Sequence, residues 1–389
     1  MNRSLLPLLL LSAAAPFAAL AAPERAAADS ANNLSLRQEV QLAIDRGLAF
    51  LQAQQKEDGS WSNADHPALT ALPLVAFQRE PSGKFLKDTP EFMKKGYARL
   101  RAAVQPDGGI YSKGLSNYNT SVAMMALLQT GDPADEATIT AARRFVAGQQ
   151  ASNMAKPETN GGFGYGPTGS SPKRQHPDLD NTLVSLEALR LYEKMRPTAE
   201  LARANDLDWK AAADFVSRCQ NLAATNSEAW VSEEQGNKGG FIYFPGSSNA
   251  GGFEPVPGKV AWRSYGTMTY AGMLSLLFAD VKADDPRVQG ALGWVKAHYT
   301  LEENPGLQTQ GLYYYYHLLT KGLTAARIDT LELADGRKVD WKREAALKLL
   351  NLQKGDGHWV NEAGRWMETD PVLVTCYGVL ALEMIYHQL

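Results

Sequence analysis

Six times along this chain a threonine opens an apolar run of two or more helical turns. The runs are Thr70–Phe77, Thr120–Leu127, Thr182–Leu189, Thr267–Leu274, Thr309–Tyr316 and Thr375–Leu382. They are apolar almost all round, which requires burial on every side. Before each comes a more amphipathic helical stretch: Ala43 to Gln54, Arg99 to Val104, Ala141 to Gln150, Ala212 to Cys219, Gln289 to His298 and Arg343 to Leu352. Between the two, five repeats carry a glycine-rich turn with an aromatic: Gln55–Trp61, Gln105–Tyr111, Asn160–Phe163, Lys238–Phe241 and Gln353–Trp359. Glycine there permits positive φ and a sharp exit from the outer helix. Repeat five has Glu302–Gly306 in that place. A periodic unit that cannot bury its own apolar face must stack on its neighbours. About six hairpins can close into a ring, which removes the exposed ends that an open solenoid has to cap. The expected fold is therefore all-α, a barrel of inner and outer helices.

The ends and inserts refine this. Met1-Asn2-Arg3 precedes an apolar run from Leu5 to Leu20, too short and too Pro-interrupted for a spanning helix, with small residues at Ala19 and Ala21. This pattern reads as an export signal over 1–21, cleaved after Ala21, with a periplasmic or extracellular destination. Residues 22–35 read as a leader, Ser35-Leu-Arg-Gln38 as a capping box opening the first outer helix, and 36–389 as one domain. Inserts at 151–176 and 223–262, rich in Gly, Ser, Asn and Pro, are long enough to form a functional rim over one mouth.

Composition excludes several classes. Removing 1–21 deletes Arg3 and no acid, so 39 Lys and Arg become 38 against 42 Asp and Glu, a net charge of −4. Nothing in that balance favours nucleic acid or an anionic surface. Cys219 and Cys376 are the two cysteines; isolated buried thiols are expected, with a single bridge as the alternative. The six His residues show no metal-ligand spacing, so neither a metal nor a cofactor is expected. Ser170-Ser-Pro-Lys173 matches a Ser-x-x-Lys pattern, but its loop setting and Pro172 make it a chance match.

Arg46 to Trp61 resembles the Gln/Trp repeat of squalene and oxidosqualene cyclases and of protein prenyltransferase β subunits, the prenyltransferase and squalene oxidase repeat. Leu349 to Trp359 is a second good copy, and similarity spans about residues 36–389. The resemblance implies an α/α toroid, a fold that hosts several chemistries. Val374 stands where the prenyltransferases place a zinc-ligating His, so protein prenylation is not implied. Class II terpene cyclases carry Asp-x-Asp-Asp at the start of an inner helix, and the matching stretch is Asp178-Leu179-Asp180-Asn181-Thr182. The resemblance puts Asp180 in the place of the protonating acid and Asp178 in that of its supporting carboxylate. Asn181 replaces the last Asp.

Each candidate has a plainer reading beside it. Asp178, Asp180 and Asn181 suit a helix N-terminus as caps, just as Asn117, Asn119 and Ser264 could serve repeats two and four. Tyr313, Tyr314 and Tyr316 lie on the fifth inner helix, where a ring could face a bound ligand or simply pack. His176, Trp262 and Phe241 belong to the rim region. Two functions follow: an acid-initiated, cyclase-like enzyme acting on an isoprenoid or other apolar alkene, or a non-catalytic binding or scaffold protein on the same ring. The first takes an apolar, isoprenoid-like small molecule as partner; the second leaves the ligand open, since the rim aromatics suit an apolar or a carbohydrate ligand equally well. Peripheral membrane contact stays open, and no protein partner is identified.

Overall fold

The computed structural model describes residues 23–166, 176–200, 204 and 206–389, with residues 23–32 by backbone alone. The export signal and Ser170–Lys173 fall outside the described residues. Thirteen α-helices are described: α1 Pro23–Ala53, α2 Ala68–Arg79, α3 Lys84–Lys87, α4 Glu91–Arg101, α5 Ser116–Leu128, α6 Glu136–Ala147, α7 Leu179–Met195, α8 Trp209–Arg218, α9 Gly266–Phe278, α10 Pro286–His298, α11 Leu312–Ala325, α12 Trp341–Leu352 and α13 Pro371–Tyr386. Two antiparallel hairpins are appended, β1 Gly252–Val256 with β2 Lys259–Trp262, and β3 Leu331–Glu332 with β4 Lys338–Val339. In the first, Gly252 opposes Trp262 and Phe253 opposes Ala261.

The six apolar runs form the inner ring. α2 packs on α5, α5 on α7, α7 on α9, α9 on α11, α11 on α13, and α13 returns to α2. α13 is buried without interruption from Val372 to Glu383. The outer helices cover the seams: α6 touches both α5 and α7, and α12 touches both α11 and α13. Outer helix α4 buries only Met93, Gly96, Tyr97 and Leu100, at the spacing of one helical stripe. No helix among the described residues is long and apolar enough to cross a membrane. Both cysteines are free and buried.

The turns lock this ring by a repeated device. A glutamine amide nitrogen donates twice, once within its own turn and once to the next outer helix or its entry. Gln55 reaches Gly59 O (3.0 Å) and Phe92 O (2.8 Å), Gln150 reaches Gly161 O (3.0 Å) and Asp208 O (2.8 Å), and Gln220 reaches Gly239 O (2.9 Å) and Arg287 O (2.8 Å). Gln353 reaches Gly357 O (2.8 Å) and Ala43 O (2.9 Å) in α1, which joins the end of the chain to its beginning. The backbone N–H at the end of each turn donates to a threonine hydroxyl: Trp61 to Thr70, Ile110 to Thr120, Phe163 to Thr182, Phe241 to Thr269 and Trp359 to Thr375.

Several sequence expectations are corrected. α1 begins at Pro23 and runs through Ser35, whose hydroxyl bonds Glu39 (3.5 Å) in mid-helix, so Ser35 is not its cap. Repeat four is locked by Thr269, two residues beyond Thr267. α11 begins at Leu312, not Thr309, because Gly311 with φ 65° sets the chain into the helix. Asn119 caps α2 of the neighbouring repeat, accepting from Ala68 N (3.0 Å). Asn117 donates its amide to Gly164 O and Ser185, and Ser264 bonds Asn237 and Asn221, so neither caps its own helix.

The turn glycine closes the lock. Gly357 has φ +98°, and a Cβ there would lie 2.4 Å from Arg46 O on α1, whereas Gly336 has φ +84° with nothing within 4 Å. Gly336→Ala is expected to cost about 1 kcal/mol, the left-handed penalty alone. Gly357→Ala should cost at least about 2 kcal/mol more by urea denaturation, because backbone must move at the ring closure. Equal costs would show that the closure contact carries no stability.

Candidate active site in the barrel lumen

Residual exposure maps the inner wall. On four inner helices it returns after three, four or seven residues: Tyr118 and Met125 on α5 with Gln129 at its C-cap, Asp180, Val184 and Glu187 on α7, Tyr314, His317 and Lys321 on α11, Tyr377 and Met384 on α13. Val184, His317 and Tyr377 each keep 7% of their surface, whereas Leu183 and Leu318 beside them keep 1%. One stripe of each helix therefore faces a narrow internal space.

Asp178 and Asp180 take different roles at the start of α7. Asp178 is the extended N-cap residue (φ −140°, ψ 164°) and is fully buried. Its Oδ1 accepts from Asn181 N (2.8 Å) and its Oδ2 from Asn181 Nδ2 (2.8 Å). The Tyr243 hydroxyl also lies within hydrogen-bonding reach of Asp178. Asn181 thus holds both oxygens of its neighbour, while its own Oδ1 has no partner. Asp180 points instead into the lumen and caps nothing. Its Oδ1 accepts from Tyr314 Oη of α11 at 2.6 Å, across the ring.

Burial dominates the electrostatics. It pushes Asp178 up to about 8, with the charge of Asp180 adding to the shift, although the Asn181 and Tyr243 hydrogen bonds oppose it. Burial also raises Asp180, and the Tyr314 hydrogen bond offsets part of that rise. Around the pair stand tyrosines. Tyr165 and Tyr243 are hydrogen-bonded to each other, as are Tyr118 and Tyr377, and the Tyr314 ring lies 5.2 Å from that of Tyr377. Burial raises all five hydroxyls, so each remains a neutral donor.

Of the residues singled out in the sequence, Asp178, Asp180, Asn181 and Tyr314 come together. Tyr313 and Tyr316 turn away from the lumen: their rings contact each other at 5.6 Å, and Tyr316 Oη donates to Leu301 O (2.6 Å) in the repeat-five loop. Phe241 is the turn aromatic of repeat four, fully buried against Gly272. Trp262 sits on β2 over Gly252, and the His176 ring lies 4.1 Å from that of Phe244 on the rim. Tyr118, Tyr377, His317, Glu187 and Lys321 were missed. Their signal is a polar or aromatic residue every three or four positions in an otherwise apolar helix. Two surface clefts, of about 520 and 910 Å³, lie on the outer layer and contain none of the sequence candidates. Among the described residues no three His, Cys, Asp or Glu are grouped to hold a metal.

No family model and no curated protein matches the sequence. Solved structures do match in fold. The type II terpene cyclase MstE from Scytonema, in complex with geranylgeranyl dihydroxybenzoate, is 14% identical, with 92% of this chain and 99% of that chain covered at a TM-score of 0.56. The same enzyme in apo form is 13% identical over 91% and 99%, at 0.55. A D-mannose isomerase is 11% identical over 90% and 97%, at 0.56. The chain has the α/α toroid fold of these proteins. Since one such ring is a cyclase and another a sugar isomerase, the fold alone does not select the chemistry.

The buried carboxyl makes stability depend on pH with a definite sign. Below about pH 4, Asp178 is protonated both folded and unfolded. Between there and about 8 the unfolded chain ionises while the folded chain keeps its proton, so stability falls as pH rises; above 8 the loss levels off. Asp178→Asn keeps a good N-cap, and the unpartnered Oδ1 of Asn181 can accept from the new amide after a flip. The stability of the variant relative to wild type should therefore increase from pH 5 to 8, by up to about 1.4 kcal/mol per unit. A constant or shrinking difference in urea denaturation would refute the protonated carboxyl.

Proposed function

We propose that this protein is an acid-initiated cyclase-like enzyme, in which Asp180 donates a proton to an isoprenoid or similar apolar alkene held in the lumen. The observation that carries this reading is the Asp180 carboxyl. One oxygen is tied to Tyr314, and Oδ2 makes no hydrogen bond among the described residues and borders an aromatic-walled space. An alkene is a very poor base, so the donor must be a carboxylic acid kept protonated and away from competing water. Burial favours that state, and the Tyr314 hydrogen bond opposes it only in part.

In this reaction the alkene π pair forms the new C–H bond with the Asp180 proton, leaving a carbocation and a carboxylate. The faces of Tyr118, Tyr314 and Tyr377 can stabilise the cation by about 0.5–2 kcal/mol each. A second alkene of the substrate attacks the cation to form the ring; the cyclised cation then gives a proton to solvent at the mouth, and solvent returns one to the Asp180 carboxylate. Asn181 acts as a positioning residue. By occupying both oxygens of Asp178 it holds that carboxyl in place of the third acid of the cyclase motif. On the same reading, export of the chain after Ala21 puts this chemistry in the periplasm or outside the cell.

The test is mass spectrometry of lipid-soluble products after incubating the 22–389 chain with geranylgeranyl-type substrates. Wild type should yield a cyclised isomer of unchanged mass, Asp180→Asn none, and Tyr314→Phe at least about tenfold less, for loss of one charge-assisted hydrogen bond at the acid. Intact ligand retained equally by wild type and Asp180→Asn would make the protein a carrier instead.

A further inference from the structure

The lumen has a second chemistry at the C-terminal ends of the inner helices, which the proposed proton transfer does not use. The stripe that carries Asp180 on α7 reaches Glu187 seven residues later, roughly 10 Å along the axis. The stripe of α11 runs from Tyr314 through His317 to Lys321, and that of α2 runs through Leu72 and Val75 to Arg79, its last residue. α11, α13 and α2 are successive neighbours in the ring, so Lys321 and Arg79 flank the same end of the lumen. Lys321 forms an ion pair with Glu187 across it, and both side chains keep slight exposure, 10% and 13%.

Arg79 is different. It is half-buried, and its guanidinium makes no hydrogen bond or ion pair among the described residues. Two buried groups near it are also unsatisfied: His317 Nδ1 and both carboxyl oxygens of Glu383. His317 and Glu383 both sense the charge of Arg79. Burial pushes the Glu383 carboxyl well above and the His317 imidazole well below their ordinary values, which disfavours the charged form of each. Glu80 is turned to Lys84 and Gln41, and Lys321 is paired with Glu187, so Arg79 is left without a carboxylate partner among the described residues. A half-buried Arg fork without a protein partner has donors left to offer, and its planar geometry matches a carboxylate.

We infer that the Arg79 end of the lumen is a subsite for one carboxylate, so that the ligand is an apolar chain carrying a single acid group. The charge balance favours a monoanion, since a diphosphate would meet too few cations. The roughly 10 Å between the Asp180 level and the Glu187 level suits a short chain. This inference shares with the proposed function only the lumen as ligand chamber. It holds whether or not Asp180 performs chemistry.

Calorimetric titration of the full chain with geranic acid, geraniol and geranyl diphosphate tests it without turnover. Wild type should bind the acid at least tenfold more tightly than the alcohol, and more tightly than the diphosphate. Arg79→Gln should erase the preference for the acid without lowering the melting temperature, and Arg79→Lys should restore part of it. Asp180→Asn should leave the preference intact even though it abolishes product, which separates this site from the proton donor. Equal affinity for acid and alcohol, no binding of either, tighter binding of the diphosphate, or a preference that survives in Arg79→Gln would each overturn the carboxylate subsite.

Discussion

The glutamine amide that joins four of the turns to the next outer helix is the interaction on which the ring depends. It is a buried or half-buried donor with two backbone carbonyl partners, one in its own turn and one on the next outer helix or its entry. At Gln353 the same bond crosses from the last repeat to α1 and turns a row of hairpins into a closed barrel. The glycine that follows must be left-handed and lacks a Cβ because the neighbouring outer helix passes over it. Arg46 strengthens the closure by donating to Lys354 O and Gly355 O, both at 2.9 Å.

Closure also explains why a carboxyl can be held protonated. Five of the six inner helices follow the same kind of turn, and the Asp180–Tyr314 and Tyr118–Tyr377 hydrogen bonds bring the N-terminal halves of α5, α7, α11 and α13 together. A helix N-terminus ordinarily favours a carboxylate. Here the low-dielectric surroundings outweigh that preference, and Asp178 rises despite capping α7. The second acid, Asp180, is freed from capping because Asp178 and Asn181 satisfy each other. Its hydrogen bond is made instead to Tyr314, four helices later in the chain.

Much of this was legible in the sequence. Apolar runs without a polar face predicted the inner ring, and Gly-aromatic turns predicted the hairpins. The Asp178-Leu-Asp-Asn181 stretch marks the start of an inner helix, α7. What failed did so for definable reasons. Spacing along the chain points to Thr267, whereas Thr269 is the residue that meets the turn N–H. Caps were sought within each repeat, yet Asn119 caps a different helix from its own. Four adjacent tyrosines gave no means of telling which one faces inward. The helical stripe of Tyr314, His317 and Lys321 would have separated Tyr314 from Tyr313 and Tyr316, and would also have exposed the charged far end of the lumen.

The account turns on the protonation of two acids that lie two residues apart. Carbon-13 NMR of aspartate-labelled protein, titrated across pH and assigned by comparing wild type with Asp180→Asn and Asp178→Asn, measures it directly. The account predicts two carboxyl resonances that titrate above the surface carboxylates, with that of Asp178 near 8. If both acids titrate with the surface carboxylates, Asp180 is an ordinary ionised side chain at neutral pH, and the barrel holds no proton to give.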